Sequence, residues 1–158
     1  MITIALTVNK SNVYDEVAKT SSYTGAKSKD DESAYDRIFT TDDDRMMLER
    51  FWLEACNAVV EIVKPFLSSD CTLQESHGIN LNSNLVLNLS MPSSYDTNLN
   101  SSVSTSLYSF FVYSILSKWF KFTNKEDTES YSASAEKLLS DISKKIYYRK
   151  KPTRTAPV

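Results

Sequence analysis

Three short stretches of the chain hold side chains from which chemistry could be built. Asp42, Asp43 and Asp44 stand in a row; Glu75, Ser76, His77 and Gly78 form a second group; Arg149, Lys150, Lys151 and Arg154 crowd one end of the sequence. Three adjacent carboxylates invite a divalent cation. Calcium loops of the EF-hand type, however, alternate their ligands and need a glycine for the turn, and both features are missing. Thr40 and Thr41 directly precede the aspartates, so the capping of a helix accounts for the run: short polar side chains satisfy its free amides and carboxylates complement its positive end. Ser76 and His77 have the types of a nucleophile and its base, but the parts of a triad converge from separate elements around a substrate. His77 is the only histidine and reads as a turn residue. Cys56 and Cys71 are too few for a disulfide framework and lack the spacing of a zinc site, so they read as reduced, semi-buried small hydrophobes. With Gly25 and Gly78 as the only glycines, no phosphate-cradling loop can form. The sequence assigns no catalytic residue, no metal ligand and no cofactor, and we expect no enzymatic activity.

The basic group is different. Lys144 and Lys145 fit the last turn of a helix, where cations offset the dipole. Arg149, Lys150, Lys151 and Arg154 lie beyond the expected helix end, in a stretch carrying Pro152 and Pro157. The whole chain is almost neutral, with a formal charge of −2, but the charge is unevenly laid out. Residues 1–80 carry 8 basic and 14 acidic side chains, whereas residues 118–158 carry 10 basic and 5 acidic. An acidic front and a basic tail favour contacts between unlike ends of neighbouring molecules.

The elements that must position these groups follow from periodicity. MITIALTV alternates Ile2, Ile4 and Leu6 with Thr3, Ala5 and Thr7, which predicts a short strand or an extended arm. Ser11 then caps a short helix carrying Val13, Tyr14, Val17 and Ala18, and the polar stretch Thr20 to Ser33 reads as an exposed loop. After the aspartates, Leu48, Phe51, Trp52, Ala55, Val59, Ile62 and Phe66 recur at helical spacing, and Pro65 bends or ends that helix. Thr72, Leu73 and Gln74, followed by a turn and by the alternating Leu85, Leu87 and Leu89, predict a β-hairpin near 71–91 closed by Pro92. Asp96 or Asn98 caps a helix apolar on nearly every side, from Val103 through Phe110, Phe111 and Trp119 to Phe122, which belongs at the centre of a domain. Its aromatics are interleaved only with Lys118 and Lys121, so they read as core rather than as a base-stacking platform. Thr123 with Glu126, or Asn124 with Asp127, starts the last helix, with Tyr131, Ala135, Leu138, Leu139, Ile142 and Ile146 as its stripe. The short connection makes the two long helices an antiparallel hairpin. The expected fold is mainly α: an antiparallel bundle of three to four helices with a small β-hairpin and extended N- and C-terminal arms. Residues 1–148 form the domain and 149–158 the basic tail. Neither a spanning helix nor a secretory leader is expected.

Four segments, VYDEVAKTSSYTGAK (13–27), AYDRIFTTDDDRMMLERFW (34–52), SILSKWFKFTNKEDTESY (114–131) and KKIYYRKKPTR (144–154), in this order resemble a family of small virion structural proteins of tailed bacteriophages and prophages of Bacteroides-like bacteria. The resemblance implies a head–tail connector, neck or tail-completion protein, assembled in the bacterial host cytoplasm. Its implied partners are other copies in a ring, together with portal, neck or tail proteins of the virion. No functional residues carry over with it. On chemistry alone, Arg149, Lys150, Lys151 and Arg154 are expected to dock on an acidic surface of a neighbour, with Asp30, Asp31, Glu32 and Asp36 as candidate partners. Incidental contact with DNA is compatible with the same tail. The alternative is a nucleic-acid-binding accessory protein, against which the acidic first half and a pI of 5.4 argue.

Overall fold

Alternation puts Ile4, Leu6 and Val8 on one side of an extended segment, and all three are buried while Thr3, Ala5 and Thr7 face solvent. This is strand β1, Ile2–Val8, in the computed structural model of the chain, which describes residues 1–28, 31–68 and 84–155. Of the two readings, strand or arm, the strand is observed. It pairs antiparallel with β2, Leu85–Met91, from Ile2 opposite Met91 to Val8 opposite Leu85. The small antiparallel sheet and the second strand of the expected hairpin are therefore present, and Pro92 follows β2 directly. The described partner of β2 is the distant N-terminal strand; Thr72 to Gln74, with Cys71, His77 and Gly78, lie outside the described residues.

Helix α1 spans Lys10–Lys27 and corrects two expectations. Its cap is Asn9, whose side chain accepts from the Asn12 amide at 3.1 Å, rather than Ser11. It also continues through Thr20–Lys27, which had read as loop. The reason is a buried row at four-residue spacing, Val13, Val17, Ser21 and Gly25, in which the last two are small instead of apolar. They let α2, Ala34–Ile38, cross closely: a Cβ built on Gly25 falls 2.7 Å from Tyr35 Cα. The Ser21 hydroxyl accepts from the Thr40 amide at 3.3 Å. Small polar residues look like loop in a sequence and act here as a contact seam.

Helix α3, Arg45–Val63, follows a single turn of 3-10 helix, Asp42–Asp44. The Asp44 carboxylate accepts from the Thr41 amide at 2.8 Å and lies 3.2 Å from the Thr41 hydroxyl. The aspartate run thus begins a helix, as expected. Leu48, Phe51, Trp52, Ala55, Val59 and Val63 form the buried stripe, with Ile62 and Phe66 partly buried, and the α-helix ends just before Pro65.

Asp96 accepts from the Asn98 amide at 3.1 Å and opens a 3-10 turn that runs into α4, Asn100–Thr123. Nearly every side of α4 is covered: it packs on α1, α2, α3, α5 and β1. Phe111, Ile115, Leu116 and Phe120 are completely buried, and the Trp119 indole donates to the Ile38 carbonyl at 2.6 Å. One residue, Asn124, connects α4 to α5, Lys125–Tyr147, and its side-chain amide donates to Asp127 at 2.7 Å. Ala135, Ile142 and Ile146 are buried against α4, with Tyr131, Leu138 and Leu139 half-buried beside them. The described residues form a mainly helical bundle with a small antiparallel sheet of two strands.

One surface pair ties α3 to α4. Lys118 lies 2.7 Å and Arg50 3.4 Å from the Glu54 carboxylate, and the Lys118 hydrogen bond holds that carboxyl below its ordinary value of 4.5. A lowered folded-state pKa contributes stability above 4.5 that is lost as the pH falls through the folded value. Because the pair is partly exposed to solvent, Glu54→Gln should cost about 0.2–1 kcal/mol at neutral pH. Thermal melts of the two proteins should converge well below pH 4.5.

Candidate interaction surface

The helix α5 ends where backbone torsions turn extended at Tyr148. The next residue, Arg149, folds back: its guanidinium donates to the carbonyls of Ile146 (2.8 Å) and Tyr148 (2.7 Å) and sits 5.4 Å from the centre of the Phe66 ring. Tyr147 packs edge-on against the same ring and donates its hydroxyl to the Ile62 carbonyl at 3.3 Å. Lys150 is anchored twice. Its amide donates to the Ser94 carbonyl at 2.8 Å, and its Nζ lies 3.5 Å from Asp96 Oδ1. The root of the tail is thus fixed beside the start of α4, and Lys150 has an acidic partner in its own chain. Lys151 and Arg154 are exposed and make no ion pair among the described residues.

The acidic candidates lie elsewhere. Asp30 is outside the described residues. Asp31 is engaged locally: it accepts from the Ser33 hydroxyl (2.8 Å) and amide (3.1 Å) and pairs with Arg37 at 2.8 Å. Ser33 and then Arg37 hold its carboxyl below the usual range. Glu32 and Asp36 are exposed and without an ion pair among the described residues. Arg37 also donates to the Thr123 carbonyl at 3.0 Å, which seats α2 against the last turn of α4. The basic root and the acidic group therefore stand at opposite ends of the α4–α5 hairpin. At 1.5 Å per residue, the 23 residues of α5 separate them by about 35 Å. The four residues from Lys151 to Arg154 reach only about 15 Å when extended. Lys151 and Arg154 cannot meet Glu32 and Asp36 within one molecule.

A second polar cluster was not foreseen. Lys10 and Glu49, both 95% or more buried, form an ion pair between α1 and α3. Lys10 Nζ also lies 5.7 Å from the Tyr14 ring centre and 5.8 Å from that of Trp52. Arg45 Nε is 3.9 Å from Glu49 Oε1, and that oxygen and the Tyr14 hydroxyl are both buried beside it. Burial, then Glu49, pushes the Tyr14 phenol well up, so it stays protonated. Burial likewise raises the Cys56 thiol to about 12, too high for a thiolate nucleophile at neutral pH. An open cleft of about 530 Å³ lies alongside, lined among others by Tyr14, Phe39, Thr40, Arg45 and Asn84. Sequence reasoning missed the pair because Lys10 looks like ordinary helix-surface charge. Glu49, like Arg50, Glu54 and Glu61, reads as lying off the apolar stripe of α3, yet it is buried.

Among the described residues no group of three His, Cys, Asp or Glu side chains converges as a metal site. No helix among them is long and apolar enough to cross a membrane. No family model, curated protein or solved structure matches the chain.

Proposed function

We propose that this protein is a structural subunit that works by head-to-tail contact with its neighbours, as a head–tail connector, neck or tail-completion ring protein of a tailed-phage virion. The observation that carries the reading is the separation of unlike charge: Lys151 and Arg154 project from one end of the α4–α5 hairpin, Glu32 and Asp36 from the other. A patch that meets a different patch on the next copy is a heterologous contact, the kind that builds rings. Opposite charge at such a contact speeds encounter and rejects wrong registers. The order of the four family-like segments supports the virion context.

Shortening the chain after Lys150 removes Lys151 and Arg154 but keeps the anchored root. The expected result is an unchanged melting temperature and a clear loss of higher oligomers in light scattering at physiological salt. Reversing Glu32 and Asp36 to lysine should have the same effect. Unaltered assembly in both variants would overturn the reading. Retention of the full chain on double-stranded DNA, with log affinity falling by about 0.9 per phosphate contact per log unit of salt, would establish the accessory-protein alternative instead.

A further inference from the structure

The two edges of the small sheet are treated differently. The outer edge of β2 is engaged: Leu67 bridges to Leu89, and the Ser68 amide donates to the Asn88 carbonyl at 2.9 Å. The outer edge of β1 pairs with no strand and makes no isolated bridge among the described residues. Proteins that leave an edge strand open usually blunt it with lysine, proline, a bulge or a very short length. Strand β1 has none of these: it is seven uncharged residues, ITIALTV, paired with β2 in unbroken register. A two-stranded sheet is also the smallest unit, and strands gain stability as more join over a common core.

The sequence of β1 is a near-palindrome in residue type. Turned end for end about Ala5, Ile2 falls opposite Val8, Thr3 opposite Thr7, and Ile4 opposite Leu6. We propose that the open edge of β1 is a self-association site, on which β1 of a second copy adds antiparallel with Ala5 opposite Ala5. Every cross-strand pair in that register is matched. Branched aliphatics oppose one another on the core side, threonines oppose threonines on the solvent side, and no like charges face each other. Residues opposite each other in an antiparallel pair share a face, so Ile4 and Leu6 of both copies lie on the α4 side and the two cores become neighbours under one four-stranded sheet. Other registers lose this matching, and a one-residue slip puts threonine against core aliphatics. The contact is isologous and closes at two copies, so it is separate from the head-to-tail contact of the tail and does not rest on it.

Sedimentation equilibrium on the full chain, and on the chain shortened after Lys150, tests the proposal. The expected result is a reversible dimer for the shortened chain, and for the full chain the same dimer as the unit from which larger species build. Ala5 faces solvent and lies opposite Asn88 in its own sheet, so Ala5→Lys leaves the monomer's core intact while setting lysine against lysine across the two-fold. It should weaken the dimer about ten-fold or more. The register is tested with paired changes at Thr3 and Thr7, which lie opposite Ser90 and Val86 within one copy. Thr3→Lys with Thr7→Lys should weaken the dimer comparably, whereas Thr3→Lys with Thr7→Glu should hold it near wild-type strength. Melting curves confirm folding of each variant. A wild-type chain that stays monomeric up to high micromolar concentration overturns the proposal, as does equal affinity of the two Thr3/Thr7 variants.

Discussion

Lys10→Met is expected to cost about 3–5 kcal/mol of folding stability, the range for removing one partner of a buried ion pair. The lysine lies between α1 and α3, more than nine-tenths buried, with its ammonium near the Tyr14 and Trp52 rings. Methionine fills nearly the same volume, so cavity formation contributes little. The loss is electrostatic: Glu49 is left buried, with the exposed Arg45 at 3.9 Å to compensate in part. Arg45 places the expectation toward the lower end of the range. Lys10→Met combined with Glu49→Leu should recover most of the deficit, because two well-packed apolar groups need no pairing. Urea denaturation of the wild type, both single variants and the double variant gives the coupling directly. A cost below about 1 kcal/mol for Lys10→Met would show that water reaches Glu49.

Gly25→Val should destabilise the fold by about 2–3 kcal/mol, near the upper part of the range for overpacking a tight contact. Away from contacts, replacing a helical glycine gains a few tenths of a kcal/mol in propensity. Here the first added carbon meets Tyr35 Cα at 2.7 Å, the Tyr35 amide nitrogen at 3.3 Å and the Ala34 carbonyl at 3.4 Å. All three are backbone atoms, so no side chain can swing aside and α2 itself must move. Moving α2 disturbs Ile38, whose carbonyl accepts from Trp119 in the core. Gly25→Ala should fall between wild type and Gly25→Val in thermal denaturation. A stabilised alanine variant would show that α2 yields easily.

The elements with strong periodicity were readable because one residue class decides them. Leu48 to Val59 in α3 and the all-round apolar α4 read as core helices, and Thr41 and Asp96 stood at the turns that lead into them. The second half of α1 was not readable, since Ser21 and Gly25 reveal a helix only once α2 lies against them. The pairing of β1 with β2 was hidden for a different reason: it joins segments far apart along the chain. The exposed tail was visible in the sequence, but its root was not. Nothing in the spacing of Lys150 and Asp96 announces that the end of α5 returns to the start of α4. The buried Lys10–Glu49 pair escaped because charge is normally a sign of surface.

The pairing of β1 with β2 also sets an order of events during synthesis. Strand β1 leaves the ribosome before β2 and cannot complete its ladder until Leu85–Met91 has been made. At about 5–20 residues per second, that delay lasts on the order of several seconds. Through that interval an uncharged, β-branched segment of the nascent polypeptide stands without its mate, so adjacent chains on one polysome, or a holdase chaperone, have time to capture it before the sheet can close.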